Sequence, residues 1–357
     1  MIPESTKPAG ANMYMASFSR WLKSILVDWD KSQLALSIII LVVIATTPLY
    51  IRSPYYMGII ILTVLYALVG VSWNIVAGFA GQLVIAHVLF VAFGAYTTVA
   101  LYDNFGLSPW IGIPISGLVS AMVGAIVAFI TLRYGLKMDY FALFTIALVT
   151  AMKAVFLKWD FVGGAMGIGV SLQNPSVSKM IFTTKEPYLY IGLALLLIGL
   201  VLQFIIYRSK MGKYFVAIRE DEAAAAALGV NTSKYKTYAL LIGSAMAGVA
   251  GGFYIMYVTF IESGQVFSLT LNVEMVLAGP IIGGLGSLIG PLLGAVINKP
   301  LAELMRGLLS FSRDGSSLIV YGSFLILAIL FMPHGIAGVL HTPYLKLRAR
   351  IVGEEKK

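Results

Sequence analysis

The amino-acid sequence predicts an all-α fold, a polytopic integral membrane helix bundle of about ten transmembrane helices, and three observations carry that prediction. Of 357 residues, 59% are hydrophobic and only 11% are charged, where an ordinary soluble domain carries about 25% charged residues. Mean hydropathy is +0.90. The charges are also segregated: runs at 34–51, 55–73, 107–132, 187–207, 237–260 and 316–332 are nearly free of Lys, Arg, Asp and Glu, and about 20 apolar residues in a helix cover the roughly 30 Å of bilayer hydrocarbon. Buried helices of a large soluble enzyme explain such runs far less well.

Residues 1–33 form a polar N-terminal segment holding Lys7, Arg20, Lys23 and Lys31, with no signal-peptide cleavage site after the first apolar run. Met13, Met15, Phe18, Trp21, Leu22, Ile25, Leu26 and Trp29 fit an amphipathic helix on the membrane surface, with a disordered tail as the alternative. A transmembrane domain over 34–340 follows, with spans expected at 34–51, 55–73, 83–102, 109–131, 140–157, 187–207, 237–260, 268–284, 286–305 and 316–332. A basic tail, 341–357, closes the chain.

The division inside 266–309 rests on Gly279-Pro280, Gly283-Gly284-Leu285-Gly286 and Gly290-Pro291. Pro removes a hydrogen-bond donor and Gly widens backbone freedom, so a turn at 284–286 is cheap. One long tilted helix or a re-entrant element are the alternatives. Gly248 with Gly252, and Gly290 with Gly294, have the spacing of closely approaching helices.

Ten spans place both termini on one side. That side holds four Lys or Arg in the N-terminal segment, Arg133 and Lys137, six in 208–236 and five after residue 340, which is 17 of the 25. The positive-inside bias makes it cytoplasmic, and the 158–186 segment then faces outward. The chain is accordingly expected in the cell (cytoplasmic) membrane as a multi-pass protein with both termini cytoplasmic, in contact with membrane lipid.

The same placement removes other function classes. A net charge of +9 arises from short segments between apolar runs, so no nucleic-acid partner is expected. There is no Cys, and His87, His334 and His341 stand far apart without carboxylates at ligand spacing, so neither a metal nor any cofactor is expected. No catalytic constellation of His and carboxylates is present, and no G-x-x-x-x-G-K-[ST] phosphate loop occurs, Gly212-Lys213 being followed by Tyr214. The chain is not expected to be an enzyme, and any ATP hydrolysis belongs to partner subunits.

Residues 208–236 are more than a connection. Arg219-Glu220-Asp221-Glu222 leads into five Ala residues, 223–227, and then Leu228-Gly229. Ala is the strongest helix former, the acidic residues suit the positive end of a helix, and Gly229 is placed to end it in the left-handed conformation. The expected product is one short, small-faced helix near 215–229 lying along the membrane, either against lipid headgroups or as a docking element for a cytoplasmic protein.

Four blocks then resemble the LivM family, the permease subunits of ABC importers for branched-chain amino acids. They are Ser72-Trp73-Asn74 through Gly81-Gln82-Leu83 with Ala86-His87 and Phe93-Gly94-Ala95-Tyr96-Thr97; Asp139 through Thr145 with Gly163 through Ile168; Gly212 through Gly229; and Gly279 through Pro291 with Phe331-Met332-Pro333-His334-Gly335-Ile336-Ala337-Gly338. They run in family order from about residue 60 to 340. The resemblance implies a LivH-like second permease, two cytoplasmic ABC ATPases and an extracytoplasmic solute-binding protein as partners. It makes 208–236 the coupling loop, with Arg219, Glu220, Asp221, Glu222, Ala223, Ala224 and Gly229 as its site residues. Ala86 to Phe90 and Val162 to Met166 depart from the family pattern, so a urea or short-amide importer stays open beside branched-chain amino acids. An ion-coupled secondary transporter is the rival from another class.

A zwitterion does not cross hydrocarbon cheaply, so polar residues at membrane depth are candidates for the path: Asn74, Gln82, His87, Tyr96, Asn272 and Glu274. Asn74 and Gln82 flank the Gly78-Phe79-Ala80-Gly81 break, where backbone groups can face a cavity. For His87 the competing reading is an interhelical hydrogen bond, and for Glu274 an interfacial or structural ion pair.

Overall fold

The computed structural model describes residues 29–136, 138–172, 175–309 and 316–340. The proposed amphipathic stretch before Trp29, Lys137 and the tail beyond 340 lie outside the described residues.

The protein is an all-α polytopic membrane bundle. Its elements are α1 (Trp29–Ala45), α2 (Pro54–Trp73), α3 (Val88–Phe105), α4 (Pro109–Arg133), α5 (Met138–Lys158), α6 (Glu186–Arg208), α7 (Lys210–Glu220), α8 (Glu222–Ala227), α9 (Thr232–Val258), α10 (Leu269–Gly283), α11 (Gly290–Leu309) and α12 (Ser316–Phe331). Among the described residues, eight helices are long and apolar enough to cross a membrane: Ser32–Leu49, Pro54–Phe79, Val88–Phe105, Pro109–Arg133, Asp139–Lys158, Glu186–Arg208, Thr232–Val258 and Ile319–Leu340.

The other two expected spans are a different kind of object. α10 has 15 residues and is interrupted by a π-helical turn, Val273–Leu277, so at about 1.5 Å per residue it falls short of the roughly 30 Å core. α11 carries Lys299, Glu303 and Arg306 inside the helix. The two pack side by side and turn at Gly284–Gly286, both glycines having positive φ. A Cβ built on Gly283 or Gly294 would fall within the carbonyl oxygen of Gly290 or Gly279, so only glycine lets these backbones touch.

α2 and α9 are buried along most of their length and form the middle of the bundle, with α9 packed on α3 and α4. Side chains in α2, and in α9 beyond its first two turns, are accordingly mostly apolar on every face rather than striped, as a helix enclosed by other helices requires.

Two local expectations are corrected. The span expected from residue 83 begins at Val88, because 80–87 is held in an irregular path. Gly81 has φ +68, Trp73 Nε1 donates to Val84 O at 2.7 Å, and Asn272 accepts from Val88 N at 3.0 Å while donating to Ile85 O. Side chains thus satisfy backbone groups that a helix would have paired. The single helix expected near 215–229 is two helices, α7 and α8, broken at Asp221, whose backbone is extended (φ −156, ψ 107). Asp221 Oδ1 accepts from Ala224 N at 2.9 Å, so the residue read as part of a helix start is its N-cap. Gly229 has φ +85, the left-handed ending its position suggests.

The segment between α5 and α6 contains short 3-10 turns and one strand, β1 (Ile168–Gly169). It pairs antiparallel with β2 (Phe260–Ile261), just after α9, in the register Ile168↔Ile261 and Gly169↔Phe260.

Candidate functional site

α7 is amphipathic and buries Gly212, Phe215 and Ile218 against the bundle. That seating aims Arg219, in its last turn, at the end of α2. Arg219 Nη1 donates to Gly78 O at 2.7 Å, while Nε and Nη2 donate to Glu220 Oε1 at 3.1 and 2.6 Å. Gly78 lies in the π-helical turn Asn74–Phe79 that continues α2, where a carbonyl lacks its usual helical partner. The arginine sits between Gly81 and Gly286: a Cβ on either would approach it within 2.9 or 2.7 Å.

On the far side of Arg219, the turn between α10 and α11 is gripped by side chains from three other elements. Asn74 Oδ1 accepts from Gly286 N at 2.8 Å and Nδ2 donates to Ser287 O at 2.9 Å. Gln203 Nε2 of α6 donates to Leu288 O at 3.2 Å. Gln33 Oε1 of α1 accepts from Leu288 N and Ile289 N at 3.0 and 3.2 Å. Sequence reasoning missed Gln33 and Gln203. Their signal is an uncharged amide at the edge or inside of an apolar run, where an unsatisfied group is costly and so demands a partner.

The remaining loop residues tie α8 to α9. Glu222 Oε2 accepts from Lys236 Nζ at 2.5 Å, and Gln82 Nε2 donates to Lys236 O at 2.7 Å. Ala225 is buried whereas Ala223 and Ala224 are exposed, so α8 presents a small-sided face outward. A cavity of about 250 Å³ lies between this junction and the bundle, lined by Gln82, Thr131, Phe141, Arg219, Asp221 and Lys236 among others. Gln33, Arg219 and His334 border a neighbouring cavity at the turn, so Gln33 of α1 and His334, just after α12, lie at the same end of the bundle as α7.

The other candidates do not converge on one cavity. His87 is fully buried, its Nε2 3.1 Å from Ser72 Oγ and its ring edge-on to Phe90, the geometry of the interhelical hydrogen bond. Asn272 braces 85–88 as described. Tyr96 is buried in an aromatic group, 4.7 Å from Phe156 and stacked at 6.0 Å on Phe267, and its hydroxyl has no hydrogen-bond partner.

Glu274 has the most elaborate surroundings. Its carboxylate takes Lys299 Nζ at 3.1 Å and the Arg306 guanidinium. Glu303 takes Lys299 at 2.6 Å and Arg306 at 3.0 Å. Lys299, whose side chain is 3% exposed, also lies 4.9 Å from the Tyr66 ring centroid. Tyr321 OH donates to Asn298 Oδ1 at 2.7 Å, and Asn298 Nδ2 donates to Glu274 O at 2.8 Å. Two carboxylates and two cations balance, which is what makes four charges tolerable among apolar helices. Charge bias alone groups Lys299 and Arg306 with the loop charges of the outer side; they belong to α11 and face α10. Among the described residues, no three His, Asp or Glu side chains converge on a metal site.

Comparison with known families and proteins matches residues 55–332 to the family described as branched-chain amino acid transport system / permease component. The high-affinity branched-chain amino acid transport system permease protein LivM of Salmonella typhimurium is 30% identical over 348 residues, covering 90% of this chain and 79% of the relative. LivM of Escherichia coli is 29% identical over 365 residues, covering 93% and 83%. The probable branched-chain amino acid transport permease protein LivH of Methanocaldococcus jannaschii is 26% identical over 261 residues, covering 69% and 80%. No solved structure matches.

Proposed function

The chain belongs to the branched-chain amino acid transport system / permease component family, and from that membership we propose that it is the permease subunit of an ATP-driven importer of branched-chain amino acids. It works with a second, LivH-like permease, two cytoplasmic ABC ATPases and an extracytoplasmic solute-binding protein. Because the sequence has no phosphate loop, the energy of ATP reaches it mechanically, and 208–236 is the receiving element.

The observation that carries this reading is the position of Arg219, bonded to Gly78 O at the end of α2 and lying against Gly286 of the turn. A hydrogen bond to a charged donor contributes about 1.5–3 kcal/mol, enough to pull a turn without tearing it from its helix. An ATPase closing on the small face of α8 moves α7, and Arg219 passes the movement to α2 and to the α10–α11 hairpin. Both ends of the chain are cytoplasmic in this scheme, supported by the basic-residue bias and by Gln33, Arg219 and His334 lying together.

Glu274, which borders a cavity, lines the solute's path, and Tyr96 belongs to the closed aromatic packing beside it. Asn74, Gln82 and Asn272 act indirectly, holding the irregular backbone that membrane depth otherwise forbids. His87 serves the packing of α3 against α2. Selectivity rests mainly in the binding protein.

The test is uptake by the complex of both permeases and both ATPases in liposomes with ATP inside and binding protein outside, using labelled leucine and labelled urea in parallel. ATP-dependent leucine accumulation is expected. Urea uptake without leucine uptake would replace the cargo, and accumulation that ignores ATP but follows an ion gradient would overturn the importer.

A further inference from the structure

α10, α11 and α12 border a third, open-sided cavity of about 270 Å³, lined by Thr270, Val273, Glu274, Arg306, Tyr321 and Leu325, with Ala302 and Gly322 completing it. Its composition is divided. One end presents a carboxylate and a guanidinium, and the rest is aliphatic. The charged end is the edge of the Glu274–Lys299–Glu303–Arg306 quartet, and its members differ in what they have left to offer. Lys299 is enclosed, but the Arg306 side chain is 46% exposed. Its bonds to Glu274 and Glu303 use one N–H on each Nη atom, and a guanidinium has five, so donors remain. Each Glu274 oxygen takes one donor and has capacity for another.

Electrostatics then selects the guest. The quartet is neutral as it stands, so a lone cation or anion would leave a net charge in an apolar site, which is expensive. A zwitterion adds one charge of each sign and keeps the balance. A guest with an aliphatic side chain also covers Val273, Ala302 and Leu325, whereas a neutral diamide leaves both the charges and the apolar wall unmatched.

We propose that this cavity is a binding station within the permease for a zwitterionic aliphatic amino acid, with Glu274 receiving the ammonium, Arg306 the carboxylate, and Val273 and Leu325 the side chain. The proposal rests on the importer reading for its cargo, and it adds that the permease itself discriminates by side-chain size.

Gly322 lines the cavity and a Cβ built there meets no atom within 4 Å, so Gly322→Leu, whose Cβ is accommodated, adds side-chain bulk at the cavity wall. In the reconstituted complex of both permeases and both ATPases, initial uptake of labelled leucine and labelled alanine is measured together with the ATP hydrolysis stimulated by loaded binding protein. Pocket fit changes discrimination by about tenfold or more per methylene-sized step, so leucine uptake should fall at least that much further than alanine uptake at unchanged hydrolysis. An unchanged leucine-to-alanine ratio overturns the site while leaving the importer standing. Wild-type complexes that hydrolyse ATP but import no α-amino acid overturn the importer instead.

A direct measurement covers the case of a variant that does not assemble. The purified wild-type permease pair in lipid nanodiscs, without binding protein, should bind labelled leucine saturably, with urea failing to compete and Arg306→Gln abolishing the signal. Absence of saturable binding up to about 10 mM, an order of magnitude beyond the weak end of ordinary substrate affinities, overturns the proposal, as does full binding by Arg306→Gln.

Discussion

The molecule holds two charged clusters that look alike in the sequence and differ in kind in the structure. Around α7 and α8, Arg219 pairs with Glu220 and Lys236 with Glu222, all partly open to solvent. Between α10 and α11, Glu274, Lys299, Glu303 and Arg306 form a cross-linked quartet in which Glu274 and Lys299 are under 10% exposed and Arg306 alone is open. Exposed pairs are worth about 0–1 kcal/mol and can be exchanged for a partner's charges at little cost. The enclosed Glu274–Lys299 pair is not exchangeable, because removing one member strands the other. The first cluster suits a surface that must accept and release a neighbour, and the second suits a fixed point in the membrane.

Three substitutions sharpen that contrast, in descending order of effect. Lys299→Ala leaves two carboxylates facing one arginine in an apolar setting, and breaking such a buried pair costs about 3–5 kcal/mol; a large drop in thermal unfolding temperature in detergent is expected, and a near-wild-type value would show the quartet to be solvated. Arg219→Ala removes the bond to Gly78 O, a loss of about 1.5–3 kcal/mol; the complex should still hydrolyse ATP but import little, and retention of normal coupling would remove Arg219 from the transmission route. Glu222→Lys sets two lysines against each other at an exposed site, so stability should change by no more than about 1 kcal/mol. Uptake and ATPase association should nevertheless fall while the binding protein keeps its ligand affinity. Normal uptake in that variant would make α8 a passive surface helix.

How legible each part is in the sequence follows from the range of the physics involved. The long spans can be read because exclusion of charge from hydrocarbon acts residue by residue, and the turn at 284–286 because Gly and Pro act on their own backbone. The irregular path at 80–87 is not legible: it depends on Asn272, which is nearly two hundred positions away. Gln33 and Gln203 escape notice for the same reason, since an amide in an apolar run announces a need for a partner without naming it. Glu274 stands out for its unusual burial, but its partners Lys299 and Arg306 are not named by the charge pattern, because charge alone does not say which way a helix faces. At Asp221 the residue type is informative and the reading too coarse: an acidic residue before an Ala run fits a helix interior near its start or a cap, and the extended backbone selects the cap.

The glycine contact between α10 and α11 has a consequence for how far a push can travel. With carbonyl oxygens set where methyl groups would otherwise be, the hairpin has no slack to absorb a shift of one strut along the other. On the proposed route, a displacement imposed at Gly286 moves both struts of the hairpin together toward the opposite tip, where Glu274 and Arg306 stand, much as a connecting rod carries a stroke from one bearing to the next.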